Sequence, residues 1–378
     1  MYLDRLFKLM AEKQASDIFI SCGAPINIKV NGVVSPVSTQ PMDPETVRRI
    51  AYELMSKEQA RAFENELEMN LSHLDRAVGN FRINIFRQRG SISIVVRFIL
   101  GNIPQLTSLD LPPVLGDLIM EKRGLILIVG ATGSGKSTTI ASMLDHRNAN
   151  RSGHILTIED PIEFLFKHKK SIVNQRELGM DTLDWNNALK NAMRQAPDCI
   201  LIGEIRDKET ADIAIRSALT GHLVFSTLHT NDAAGAVTRL IDMGVEPFLL
   251  ASSLEGVLAQ RLVRKICPAC KTRYKPSESL LNSLNNSITL SPEDELYHGR
   301  GCDECNNTGM RGRIGIFELL RITEPLRKII ATRPTTEQIV AAAAEDHVSM
   351  RHDGIEKILK GITCPEEVLR VTQGVEEE

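Results

Sequence analysis

The sequence predicts an α/β protein: a small α+β domain followed by a larger, doubly wound domain built on a parallel sheet. Three observations carry this expectation. Four short apolar runs, Leu125–Val129, His154–Ile158, Cys199–Ile202 and Leu223–Ser226, alternate with helical patterns. Runs that are continuous rather than alternating suit strands covered on both faces. The first run leads into a glycine-rich turn and then a helical pattern, whereas the first hundred residues show period-two hairpins instead.

The 378 residues suffice for two or three domains and for a core that needs no disulfides. Apolar residues at 42% and charged residues at 25% exclude disordered and fibrous classes. Lys plus Arg number 45 and Asp plus Glu 48, so a net charge of -3 leaves no global basic footprint for nucleic acid. No run reaches the roughly 18 apolar residues of a membrane helix. The N-terminus, MYLDRLFKLMAEK, is amphipathic and carries acids, unlike a secretory signal. A cytoplasmic protein is expected, and its seven cysteines, an odd number, argue against a disulfide framework.

Along residues 1–100, Leu3, Leu6, Phe7 and Met10 recur at helical spacing, Asp17–Ile20 reads as a strand, and Asn31-Gly32 signals a hairpin. Arg82 to Arg97 reads as a second hairpin. Ile83 and Ile85 alternate, Gln88-Arg89-Gly90 turns, and Ile92, Ile94 and Val96 alternate again. Glycine and prolines between Gly101 and Pro113 mark a linker at 101–113. The second domain then spans 114–378, with a cysteine-bearing lobe at 264–315 and a helical part at 316–378. Within the lobe, Ser277–Leu290 is rich in Ser and Asn and reads as a loop.

Gly130-Ala-Thr132-Gly133-Ser134-Gly135-Lys136-Ser137 matches G-x-x-x-x-G-K-[ST] in its required strand–loop–helix setting. Glycines let backbone amides turn inward around phosphate oxygens, and the helix start adds free N–H groups and a positive dipole end. Gly130, Thr132, Gly133, Ser134, Gly135 and Thr138 are expected to cradle the phosphates of ATP. Lys136 reaches the β- and γ-phosphates, and Ser137 ligates Mg²⁺. Glu204 ends the strand Cys199–Ile202, beside the phosphate loop, where it can hold Mg²⁺ or orient water. Glu159, Asp160 and Glu163 crowd one short turn after another strand. Such acids need a cation nearby, and Glu163 is the candidate general base. His229 follows a strand and His222 precedes it; His229 is the candidate γ-phosphate sensor or link to a neighbouring subunit.

Cys267-Pro-Ala-Cys270 and Cys302-Asp-Glu-Cys305 are spaced C-x2-C-x31-C-x2-C. Four thiolates suit one tetrahedral structural Zn²⁺ with no open position. Nearby Arg264, Lys265, Lys271, Arg311 and Arg313 would favour the thiolate form.

GATGSGKST, ILTIEDPIEF, RQAPDCILIGEIRD and TGHLVFSTLHTND, in this order, resemble the Walker A, Asp box, Walker B and His box of the secretion ATPases of type IV pili and type II secretion. The resemblance covers nearly the whole chain. It implies a PAS-like N-terminal domain and a RecA-like P-loop ATPase domain. It implies a homohexamer with ATP at the domain interface and a rotation that works an inner-membrane platform protein, with the motor recruited to the inner face of that membrane. It also implies that Arg82, Arg97 and Arg239 act on the γ-phosphate, a role suited to developing phosphoryl charge. ASDIFISCGAPINIKVNG and NFRINIFRQRG resemble pilus-retraction motors, as does the lack of a further N-terminal docking domain. The cysteine pairs with GRIGIFELL and SMRHDGIEKILKGITCPEEVLRVT resemble assembly and secretion motors. A retraction-type motor for twitching motility is the leading expectation, with an assembly or secretion motor as the alternative. A RecA-like nucleic-acid motor is a third possibility, opposed by the near-neutral charge and by aromatics of only 4%, which leave few stacking platforms.

Overall fold

The computed structural model describes residues 2–372 apart from 14, 31–32, 76–77, 100–102, 285–290, 292 and 344–346. The chain divides into two units, Met1–Asn102 and Ile103–Glu378. Among the described residues no helix is long and apolar enough to cross a membrane.

The first unit is an antiparallel sheet backed by helices. Its strands are β1 (Asp17–Ser21), β2 (Asn27–Val30), β3 (Val33–Pro36), β4 (Glu68–Asp75), β5 (Gly79–Gln88) and β6 (Ser91–Ile99), in the order β3-β2-β1-β6-β5-β4. The helix Tyr2–Glu12 lays Leu3, Leu6, Phe7 and Met10 into one core with Ile18, Ile83 and Ile94. The 82–97 hairpin forms as expected, with β5 and β6 paired from Asn80↔Ile99 to Gln88↔Ser91. Arg89 and Gly90 adopt positive φ at its turn. The predicted Asn31-Gly32 turn lies outside the described residues, between the antiparallel β2 and β3.

The second unit contains a seven-stranded sheet. Its strands are β7 (Gly124–Val129), β8 (Gly153–Glu159), β9 (Ser171–Glu177), β10 (Cys199–Ile202), β11 (Leu223–Leu228) and β12 (Leu254–Ile266). β13 (Lys271–Tyr274) and β14 (Leu296–Gly299) form a separate two-stranded sheet, and β15 (Met310–Arg321) returns to the main one. The main order is β15-β12-β7-β11-β10-β8-β9, with every neighbour parallel except β15. Alternation along β7 separates two cores. Leu125, Leu127 and Val129 face one, and Ile126 and Ile128 the other. The helix Lys136–Asn150 covers the second face, while Trp185–Ala192, Lys208–Leu219 and Ala233–Asp242 cover the first. Asp184, Asp207 and Asp232 cap the starts of these last three helices by accepting a backbone N–H three residues on.

Three details depart from the sequence reading. Ile103–Pro113 belongs to the second unit, where the Pro104 carbonyl accepts a bond from Ser142 Oγ at 2.8 Å. The described part of the Ser/Asn-rich stretch contains a helix, Glu278–Leu284, and residues 285–290 lie outside the description. The C-terminal helices begin at Glu324, because β15 runs through 316–321 as part of the sheet.

Candidate active site and metal centre

The carboxyl ends of the parallel strands open into a cleft of about 640 Å³. This is where open parallel sheets hold ligands, and the volume suits a nucleotide. β7, buried throughout, delivers the loop Gly130–Gly135 and the helix Lys136–Asn150. Gly130 (φ 145) and Gly135 (φ 91) take conformations only glycine adopts freely. A Cβ on Gly130 would also meet the Gln260 carbonyl at 2.4 Å, and one on Gly135 would meet Gln260 Nε2 at 2.8 Å. Lys136 is 9% exposed, and its Nζ donates to the carbonyls of Gly130 and Ala131 at 2.7 and 3.1 Å. Burial lowers the lysine pKa, and the charges of Glu204 and Glu163 oppose that shift. Thr132, Gly133, Gly135, Lys136, Ser137 and Thr138 line the cleft. The Ser134 hydroxyl instead points into protein, buried and without a partner among the described residues.

Glu204 sits on a tethered loop. Gly203 N donates to Ile158 O at 2.9 Å, Thr227 Oγ1 donates to Gly203 O at 2.8 Å, and Ile205 N donates to Thr227 O at 2.9 Å. Strands on both sides therefore hold the acid over the cleft. Arg206 donates to Glu204 and lies 3.7 Å from Asp160 Oδ2, while His229 Nε2 lies 3.5 Å from Glu204 Oε2. His222 is elsewhere: its Nδ1 is 3.0 Å from Ser217 O at the amino end of β11, one strand length from His229.

The acidic turn after β8 is pinned by the edge strand β9. Glu177 Oε2 accepts from Ile162 N at 3.0 Å, and Gln175 Oε1 accepts from Phe166 N at 2.9 Å. Glu163 is exposed and lines the cleft. Glu159 is the more perturbed acid. Burial raises its pKa to about 7, against hydrogen bonds from Thr157 Oγ1 (2.6 Å) and Gln175 Nε2 (3.1 Å).

The four cysteines converge. Their sulfurs all lie within 4.8 Å of one another, with Cys267–Cys302 and Cys270–Cys305 at 3.9 Å and Cys302–Cys305 at 3.7 Å. A metal–sulfur bond of about 2.3 Å in a tetrahedron spaces sulfurs about 3.8 Å apart. The residues present therefore fit a tetrahedral thiolate-bound ion. Burial alone would raise the Cys305 pKa, but the backbone N–H groups of Cys302 and Gly309, each 3.2 Å from its sulfur, help bring it to about 6. The donors are amides rather than the basic side chains that the sequence suggested. Arg311 pairs with Glu304 at 2.6 Å, Arg264 with Glu367 at 2.9 Å, and Lys271 Nζ lies 4.2 Å from the Tyr297 ring centre.

Residues 1–370 match the family described as Type II/IV secretion system protein. The chain belongs to that family. It is 45% identical over 289 residues to a type IV pilus ATPase, PilU, of Pseudomonas aeruginosa, covering 75% of each chain. It is 41% identical over 272 residues to the type IV pilus retraction ATPase PilT of the same organism, covering 70% of this chain and 79% of that one. Against the type II secretion system protein E of P. aeruginosa it is 45% identical over 257 residues, 68% of this chain but only 50% of the relative. A solved structure of the pilus retraction motor PilT with bound ADP superposes with a TM-score of 0.81 at 35% identity, covering 97% of this chain and 96% of that one. As a member of the secretion ATPase family, the chain is a P-loop ATPase.

The family resemblance also singled out three arginines. Arg82 and Arg97 belong to the first unit, where they are direct cross-strand partners on β5 and β6. Arg97 Nε donates to Asp17 Oδ1 at 2.8 Å. Arg239 is exposed near the end of the helix Ala233–Asp242 and does not line the cleft. Other contributors went unread in this secretion ATPase sequence. Gln260 on β12, 3% exposed, donates from Nε2 to Ser134 O at 2.8 Å and accepts from Thr139 Oγ1 at 2.7 Å. Leu262, Arg313 and Trp185 also line the cleft. A polar Gln inside the otherwise apolar run of β12 was the available signal.

Proposed function

We propose that this chain is the ATPase subunit of a hexameric, cytoplasmic motor that powers type IV pilus dynamics, of the retraction type used in twitching motility. The observation that carries the reading is one cleft holding the Lys136 loop together with Glu204, Glu163 and His229. The likeness to a pilus retraction motor over 97% of the chain supports it. In this reading the loop amides from Gly130 to Thr138, with Lys136, bind the phosphates of ATP. Ser137 and Glu204 would hold Mg²⁺, which supplies neutralising charge at the phosphate oxygens when bound. Glu163 takes the proton of the attacking water, as an acid lining the cleft can. Arg82, Arg97 and Arg239 act on the γ-phosphate and stabilise its developing charge. For Arg97 that requires exchanging Asp17 for phosphate. His229, beside Glu204, reports the γ-phosphate to the next subunit. Cys267, Cys270, Cys302 and Cys305 hold Zn²⁺ in a structural role. The motor acts on an inner-membrane platform protein, to which it is recruited peripherally, and no direct nucleic-acid contact is part of the reading.

A second reading, a pilus-assembly or type II secretion motor, is favoured by the four-cysteine cluster and by the type II relatives. The Glu204→Gln variant in cells separates the two. Surface fibres in excess that cannot shorten support retraction; absent fibres or trapped exoproteins support assembly or secretion. ATPase stimulation by single-stranded DNA, with a salt-dependent shift of that DNA, would move the chain to the nucleic-acid class instead.

A further inference from the structure

The two sides of the phosphate loop carry opposite chemistry. In the sheet order, β11, β10 and β8 lie on one side of β7, and β12 and β15 on the other. Glu204, His229 and the Glu159–Glu163 turn enter the cleft from the first side. Leu262 and Arg313 enter it from the second. A nucleoside triphosphate with its γ-phosphate towards the acids lays its α-phosphate and nucleoside against β12 and β15.

The strand register shows how that end is built. Arg313 on β15 pairs with Arg264 on β12, so it shares a sheet face with Leu262 and Gln260, two and four residues earlier. Gln260 grips the loop, and a Cβ on Gly135 would meet Leu262 at 3.5 Å. Gln260, Leu262 and Arg313 therefore form a row leading outward from the loop. Arg311 and Arg264 at the same strand end are engaged by Glu304 and Glu367. The exposed Arg313 guanidinium has no ion-pair or hydrogen-bond partner among the described residues.

The same strand pair is closed by the cysteine cluster. β12 ends at Ile266, directly before Cys267, and β15 starts at Met310, directly after Gly309. Cys267 N donates to Gly309 O at 2.9 Å, and Gly309 N donates to Cys305 Sγ at 3.2 Å. Arg313 lies four residues beyond this clamp.

We propose that Arg313, beside Leu262, holds the nucleoside end of the bound nucleotide, and that the four-cysteine cluster sets its position by clamping β12 to β15. The inference deepens the ATP-site reading and rests on it. A planar guanidinium can lie against a purine face while Leu262 supplies apolar surface. A clamp of this kind makes a metal site remote from the phosphates a determinant of nucleotide affinity.

Titration calorimetry on the full chain tests this with ATP, ADP and inorganic triphosphate, using Zn²⁺-loaded and chelator-stripped protein. Arg313→Ala should weaken ATP and ADP about tenfold and leave inorganic triphosphate unchanged. Stripping should weaken ATP for the wild-type chain by a similar factor and add nothing to Arg313→Ala. Unchanged ATP affinity in Arg313→Ala overturns the contact, and an equal loss for triphosphate overturns its assignment to the nucleoside end. Unchanged ATP affinity on stripping, or losses that add to those of Arg313→Ala, overturn the clamp. Circular dichroism identifies a stripped chain that has unfolded. In that event Cys302→Ser, which removes a single ligand, replaces stripping, with the same two outcomes. A wild-type chain that binds neither ATP nor triphosphate overturns the phosphate-loop reading itself.

Discussion

Gln260→Leu removes a brace that no motif announces. The side chain supplies a donor to the Ser134 carbonyl and an acceptor to the Thr139 hydroxyl, at 2.8 and 2.7 Å, in a buried position. Leucine keeps the approximate volume and leaves both partners unpaired. Each lost hydrogen bond costs about 1 kcal/mol net, and each stranded buried group adds up to about 1 kcal/mol, for a sum of about 2–4 kcal/mol. That cost divides between two observables. If the loop keeps its shape, it appears as stability, and about 2 kcal/mol lowers Tm by roughly 4–8 °C. If the loop relaxes and must be reordered by the nucleotide, the same amount weakens ATP binding roughly thirtyfold. Differential scanning calorimetry with ATP titration measures both shares on one sample. A Gln260→Leu chain with Tm within 1 °C of wild type and ATP affinity within about twofold would refute the brace.

Other perturbations test the remaining parts. Lys136→Ala should lose nucleotide binding, because its ammonium is the cation inside the loop; wild-type turnover in that variant contradicts the site. Arg82→Ala and Arg97→Ala should lower hydrolysis by at least tenfold more than they lower ATP binding, as expected of groups that meet developing charge; equal losses place them in general binding. Glu159, with a pKa of about 7 against 4.5, binds a proton in the folded state that the unfolded state releases. The folded chain therefore loses stability as pH rises from about 4.5 through 7, by no more than about 3 kcal/mol, and Glu159→Gln should melt higher than wild type at pH 8. Unchanged melting there removes that account. Glu367 runs the opposite way. Burial would raise its pKa, but hydrogen bonds from Arg370 and Arg264 hold it near 2, so its contribution is present above about 4.5 and is lost as pH falls towards 2. Both arginines are more than half exposed, which limits that contribution to about 1–2 kcal/mol, and Glu367→Gln should lower Tm at pH 7 but not at pH 2. Cys267→Ser with Cys270→Ser should release the metal and destabilise the lobe; identical melting without bound metal removes the metal assignment.

Much of the second unit was legible because its signals are local. A strand buried on both faces reads as a near-continuous apolar run; β7 and β10 are unbroken, and β8 and β11 are interrupted only by small hydroxyl residues within their buried stretches. The phosphate loop follows β7 with the glycines its positive φ values need, and the acids sit where strand ends must lie. The cysteine pairs are 31 residues apart, yet each knuckle is a short turn whose chemistry is complete in four letters. What escaped depends on distant segments meeting. β9 is an edge strand whose exposed Ile172 and Asn174 dilute the apolar pattern, so the strand that pins the Glu163 turn left no clear run. Gln260 reads as a polar interruption of a strand, and only its parallel pairing with β7 turns it towards Ser134, which is 126 residues away in sequence. Arg313 reads as one more basic residue near cysteines. Its separate setting follows from register: β15 returns antiparallel to β12, Arg264 and Arg311 find carboxylates, and Arg313 lines the cleft. The acids Glu159, Glu163 and Glu204 and the pair Leu262 and Arg313 thus reach one cavity from opposite sides of β7. That division is a property of strand order, which no motif in this chain encodes.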